Sequence, residues 1–288
     1  MNKLDPRNAM MQESEAAIRN FLKEISEKNT FSGRGITQRQ EAIRQLLAEQ
    51  GWSRKQLSAA LHQDWSTIDG DMRSAACLYE QYRMRLVSST MILPYLLAIE
   101  GPAFHVSLAS PRWRRERDQL DTISSATLQR KVRDGIGKLR EFGCEPVVCG
   151  ALELSAGIEC DGSFVWEPHL DFVVVGASRE QIRAAFAVLT TSVERRQKWL
   201  RIDQANDDIA GYLDYGIKVQ PELRRAYIGE SGRQQRGHDH LRGQELGMWL
   251  EWMGSRPMAD LVFHHGLPRR LATAIHTAEL ATLVEEIV

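Results

Sequence analysis

The apolar positions change their period twice along the chain. Up to about residue 100 they recur every three or four residues, the spacing of amphipathic helices. Ala17, Ile18, Phe21, Leu22 and Ile25 predict a helix over 13–28. A glycine-rich break follows at Ser32-Gly33-Arg34-Gly35, then three short helices. Thr37, with Gln40 at the capping-box spacing, opens the first, which carries Ile43, Leu46 and Leu47 and closes at Gly51. Ser53 opens the second, with Leu57, Ala60 and Leu61, and the third starts near Trp65 with Ile68 and Met72. From Pro102 a period of two sets in, and 104–108, 147–155 and 164–175 read as strands, with 198–202 strand-like. Helices are expected over 126–142, from Ser178 to about Leu189, and from about Asp207 through Tyr212 and Tyr215. The last sixty residues return to helical spacing at 246–252 and 271–287. This order predicts an α+β fold, an antiparallel sheet covered by helices, after an N-terminal helical domain and before a helical tail. The expected segments are 1–36 (helix and linker), 37–100 (helical), 101–230 (α+β) and 231–288 (helical).

Strand alternation then singles out chemistry. In Trp166-Glu167-Pro168-His169-Leu170-Asp171-Phe172, residues Glu167, His169 and Asp171 share one face, and Leu170, Phe172 and Val174 take the core face. Glu153 alternates onto the same side of the preceding strand. Carboxylates and an imidazole so placed suit a divalent cation, and the exposed face of the sheet is where they are expected. His105 alternates away from Phe104, Val106 and Leu108, and either sits near that cation or is structural. Arg112, Trp113, Arg114 and Arg115 interleave phosphate-pairing and base-stacking groups, as a single-strand groove or a solvated basic turn would. His238-Asp239-His240 reads as a surface loop, and His264-His265 as part of the helical tail, far from these motifs.

Composition narrows the classes. With 43% hydrophobic and 26% charged residues and a net charge of −1, the chain is not a globally basic nucleic-acid binder, which leaves room for a local basic groove. Cys77, Cys144, Cys149 and Cys160 make no CxxC pair and read as reduced thiols of a cytoplasmic protein. The polar N-terminus does not read as a signal peptide, and the apolar run 91–99, broken by Pro94, is too short to span a bilayer. Residues 36–85 resemble the helix-turn-helix domains of bacterial regulators. Asp64, Asp69 and Asp71 against the single Arg73 would repel phosphates, so a helical bundle for packing or protein contacts stands beside that reading.

Taken in order, the first strand with its Arg-Trp-Arg-Arg turn, Gly150-Ala151-Leu152-Glu153-Leu154, Pro168-His169-Leu170-Asp171 and Tyr212-Leu213-Asp214-Tyr215-Gly216-Ile217-Lys218 resemble the rolling-circle replication initiators of the HUH endonuclease superfamily, over about 102–230. The resemblance implies His169, Asp171 and Glu153 as metal ligands, with Asp171 where the family carries its second histidine. It implies Tyr215 as nucleophile, Lys218 one turn on as its cationic partner, and Tyr212 as either a second nucleophile or a packing residue. It further implies Mg²⁺ or Mn²⁺, nicking and joining of single-stranded DNA at the origin duplex of a plasmid, phage or mobile element, and a separate helicase, since no Walker lysine loop is present. No membrane partner is expected, and a homodimer is left open. Two alternatives remain: a DNA-binding regulator on the same fold that does not cut, and a helix-turn-helix transcriptional regulator.

Overall fold

The computed structural model of the chain describes residues 33–63, 73–187, 199–217, 221–228 and 234–276. The helix expected over 13–28, the helix from Trp65, Lys198, Lys218 and the end of the C-terminal helix lie outside these residues. Helix α1 (Gly33–Glu49) runs through the glycines read as a break, so Thr37 lies inside it and not at its cap. Helix α2 (Arg54–Ala60) starts as its sequence predicts. Gln56 N–H donates to Ser53 Oγ at 3.3 Å and Ser53 N–H to Gln56 Oε1 at 2.9 Å, a reciprocal capping box. Helix α3 (Leu78–Val87) continues through a π-helical turn (Ser88–Ile92) into α4 (Leu93–Leu97). The apolar run 91–99 therefore belongs largely to packed helix. Leu93 and Leu96 are buried, and no described helix is long and apolar enough to cross a membrane.

The remaining elements are β1 (Ala103–Ala109), β2 (Arg115–Glu116), α5 (Ser125–Glu141), β3 (Val147–Ile158), β4 (Phe164–Val175), α6 (Arg179–Ala187), β5 (Leu200–Gln204), α7 (Ile209–Ile217), β6 (Glu222–Ile228), β7 (Gln234–His240), α8 (Gly243–Gly254), β8 (Val262–His265) and α9 (Arg269–His276). Among the described residues eight strands make one sheet, ordered β5-β1-β4-β3-β6-β7. Its spine is the β3–β4 hairpin, whose strands are long enough to take two partners each. β4 pairs with β1 over 169–175 and with β2 at 165–166. β3 pairs with β8 over 148–151 and with β6 over 156–158. The β3–β6 pairing is parallel, so the sheet is mixed and not wholly antiparallel as expected. The C-terminal region is likewise not helical throughout. His238-Asp239-His240 ends strand β7 and is no loop. His264 and His265 lie in β8, opposite Cys149 and Val148, and not in a helical tail.

The two faces of the spine differ in kind. Val106, Leu108, Leu152, Leu154, Leu170, Phe172 and Val174 are buried on one face, where Phe172 meets Phe186 of α6 at 5.4 Å between ring centroids. Gly150 sits on this face because a Cβ there would lie 2.3 Å from Phe172 Cβ. Gly176, with φ 90°, ends β4 in a conformation open to glycine. The other face carries His105, Ser107, Glu153, Ser155, Glu167, His169 and Asp171. Helix α7 lies across it, against β1, β3 and β4, and α3, the π turn and α4 back α7 from outside. That face, expected to be exposed, is therefore roofed.

Candidate metal centre

Register brings the predicted ligands together. Glu153 pairs directly with His169 across β3 and β4, and Asp171 follows two residues on, on the same face. His169 Nε2 lies 3.0 Å from Glu153 Oε2 and 3.2 Å from Asp171 Oδ2. A cation about 2.1 Å from each ligand would set neighbouring ligand atoms about 3.0–3.4 Å apart, in octahedral or tetrahedral arrangement. The other ring nitrogen of His169 fixes the tautomer. Nδ1–H donates to the Glu167 carbonyl at 3.2 Å, which turns Nε2 to the carboxylates. All three side chains are buried, and neither oxygen of Asp171 has a hydrogen-bond partner in ordinary geometry. Buried polar atoms are rarely left so. This cluster could hold a metal ion, and its orphaned carboxylate oxygens fit one.

Charge inside the cluster is strongly coupled. Burial would depress the His169 imidazole, yet Glu153 and Asp171 outweigh it and hold the pKa at about 9. Asp171 is held below the usual carboxylate range against the pull of burial, by His169, His105 and Ser107. A proton on His169 here balances charge that a cation would balance instead.

Helix α7 supplies the tyrosines. Tyr212 stacks on His105, with centroids 4.8 Å apart and planes at 17°, and Tyr215 meets the same ring edge-on at 5.8 Å. Tyr212 is half-buried, whereas Tyr215 keeps 42% of its surface exposed. Burial, then the charges of Glu153 and Asp171, push the Tyr215 phenol up to about 12. The phenol is thus electrostatically in touch with the cluster. Lys218 lies outside the described residues.

The basic turn is largely occupied by the protein itself. Arg114 pairs with Glu167 and, at 3.0 Å, with Glu159, and lies 5.0 Å from the Trp199 ring centroid. Arg115 donates to the carbonyls of Arg112 and Arg114 at 3.0 and 2.7 Å. Trp113 packs against the core, and Arg112 is exposed. Glu167, on the face of His169 and Asp171, turns to Arg114 and to Arg236, 2.7 Å away, and stays out of the cluster.

Two residues near the site escaped the sequence reading. Arg224 of β6 reaches within 3.5 Å of His169 Nε2, and its charge acts on Tyr215. No local pattern marks it, because a parallel crossover brings it there. Asp203 stands 4.0 Å from His105 Nδ1. Alternation along Arg201-Ile202-Asp203 is a signal that could have found it. No protein-family model, curated protein or solved structure matches the chain.

Proposed function

We propose that the chain is a replication initiator of the HUH endonuclease kind, which nicks one DNA strand at a rolling-circle origin and rejoins it through a phosphotyrosine. The observation that carries this reading is the seating of two tyrosines on one helix over a buried cluster of two carboxylates and an imidazole. In the step proposed, the Tyr215 phenol gives up its proton and its oxygen attacks the scissile phosphorus. The bond from phosphorus to the 3′ oxygen breaks, and that oxygen takes up, by way of water, the proton the phenol gave up and leaves as a free 3′ hydroxyl. The phosphodiester survives as a phosphotyrosine, so joining is the reverse attack. A divalent cation held by Glu153, His169 and Asp171 would supply positive charge to the phosphate oxygens in the transition state. One imidazole and two carboxylates suit Mn²⁺ or Mg²⁺. Arg224 adds a second cation on the same side, and its charge favours the phenolate.

The test is mass spectrometry of the full chain after incubation with Mn²⁺ and a pool of single-stranded oligonucleotides of random sequence. The expected result is a nucleotide adduct on Tyr215 that EDTA abolishes. Binding of the oligonucleotides without any adduct would leave the regulator that does not cut, and an adduct that survives EDTA would remove the metal from the step.

A further inference from the structure

We infer that His105 is a positioning residue that orients Asp171 for the cation and seats the tyrosine helix on the same ring; the inference rests on the metal reading above. Asp171 lies between two imidazoles. Its Oδ2 is 3.2 Å from His169 Nε2, and its Oδ1 is 3.4 Å from His105 Nε2. His105 comes from β1, whose Ser107 pairs with Asp171, so its ring reaches the carboxylate diagonally across the strands. On its far edge Nδ1 faces Asp203 Oδ2 at 4.0 Å, and on one face it carries Tyr212 at 4.8 Å. Tyr215 completes the enclosure, edge-on at 5.8 Å.

Asp203 Oδ2 is engaged by Arg201 at 2.6 Å, so the carboxylate left for the ring is Asp171. His105 is 4% exposed, yet neither ring nitrogen makes a hydrogen bond of ordinary geometry, and neither does either Asp171 oxygen. The donor and acceptor face each other a few tenths of an ångström beyond an ordinary hydrogen bond. When they close, Nε2–H donates to Oδ1, and Asp171 is held with Oδ2 toward His169 and Glu153. Outer partners of this kind fix ligand orientation and raise metal affinity. The stacked Tyr212 then ties the position of α7, and with it Tyr215, to the same imidazole.

The test is Mn²⁺ affinity of the full chain, read from the electron paramagnetic resonance of the free ion, which needs no DNA. His105→Phe keeps a ring under Tyr212 and loses both nitrogens; about 10- to 100-fold weaker binding is expected. His105→Gln returns an amide donor near the place of Nε2 and is expected within about threefold of the natural chain. His105→Met matches glutamine in size without the donor and should behave as phenylalanine does, so the donor is tested even if one variant fails to fold. Near-ultraviolet dichroism of the tyrosines should change in His105→Gln and persist in His105→Phe. Natural affinity in both His105→Phe and His105→Met overturns the inference, as does glutamine binding as weakly as they do. Unaltered dichroism in His105→Gln removes the tyrosine half. A natural chain that binds no Mn²⁺ overturns the metal reading itself, whereas the variant results overturn only the role of His105.

Discussion

Access separates Tyr212 from Tyr215. Tyr212 gives its face to His105, while Tyr215 keeps 42% of its surface open. Tyr215→Phe is therefore expected to abolish the DNA adduct while single-strand binding stays within about threefold, because only the phenol oxygen is lost. Tyr212→Phe preserves the stacked ring and should keep the adduct. The reverse outcome in adduct mass spectrometry would exchange the two roles. His169 sets the pH behaviour. Its folded pKa of about 9 stands above the ordinary 6.5, so the proton it binds stabilises the metal-free fold. That stability is fully present below pH 6.5, declines above it and is lost as pH rises through 9. Thermal unfolding in EDTA should show the midpoint falling across this window, and a His169→Gln variant should lose the fall. Mn²⁺ must displace the same proton, so its affinity should rise about tenfold per pH unit from 7 to 9. A flat affinity profile would mean that His169 is not a ligand. Much of this was legible beforehand, because alternation alone puts Glu153, His169 and Asp171 on one face. Their burial was not, since a strand's sequence does not say what covers its polar side.

At the scale of elements, the β6–β7 hairpin depends on a carboxylate outside the metal cluster. β6 meets β3 over only three paired positions, and Arg236 of β7 reaches back to Glu167 at 2.7 Å and Glu159 at 3.2 Å. Arg114 closes the same group from the other side. Glu167→Ala leaves two partly buried guanidinium groups short of a partner. We expect a loss of about 2 kcal/mol, between the values for exposed and for buried ion pairs, in urea unfolding. Amide exchange should quicken in 222–240 more than in β1 or β4, and uniform exchange would show that the hairpin is held by other contacts. These edge elements explain the gaps in the sequence reading. Glu222-Leu223-Arg224-Arg225-Ala226-Tyr227-Ile228 and Gln234-Gln235-Arg236-Gly237-His238-Asp239-His240 lack regular apolar alternation, since neither face of this hairpin is covered enough to demand it, and of β6 only Leu223 is buried. Val262-Phe263-His264-His265 is four residues long and gains its place from β3. The central strands, buried along most of their length, were the ones the pattern revealed.

Across the whole molecule, the site depends on chain far from it in sequence. Helix α7 is held between the sheet and the helical segment 78–97, and Arg85 Nε reaches Asp214 Oδ1 at 3.3 Å. The chain leading into that segment, from Trp52 on, is tied in turn to the C-terminal region. Ala75 N–H donates to the Arg256 carbonyl at 2.8 Å, Ser74 bridges to Pro257, and Trp52 packs so closely on Gly254 that a Cβ there would lie 2.7 Å from its ring. Leu47, Tyr79, Met84 and Val87 are fully buried in this joint. A chain beginning at Met91 keeps Glu153, His169, Asp171, Tyr215 and helix α4, yet it uncovers the part of α7 that α3 and the π turn cover and the inner face of α8. Burial of that many large side chains is worth several kcal/mol, at about 1.5–3 kcal/mol each. We therefore expect the shortened chain to lose its cooperative thermal transition and at least about tenfold of its Mn²⁺ affinity, although no ligand has been removed. Arg85→Ala, which breaks one tie, should move the midpoint by only about 1–4 °C, since a partly exposed ion pair contributes up to about 1 kcal/mol. A shortened chain that unfolds cooperatively and binds Mn²⁺ as tightly as the full one would show that the sheet alone shapes the cluster. The N-terminal helices would then be a cover over the tyrosines and no part of what positions them.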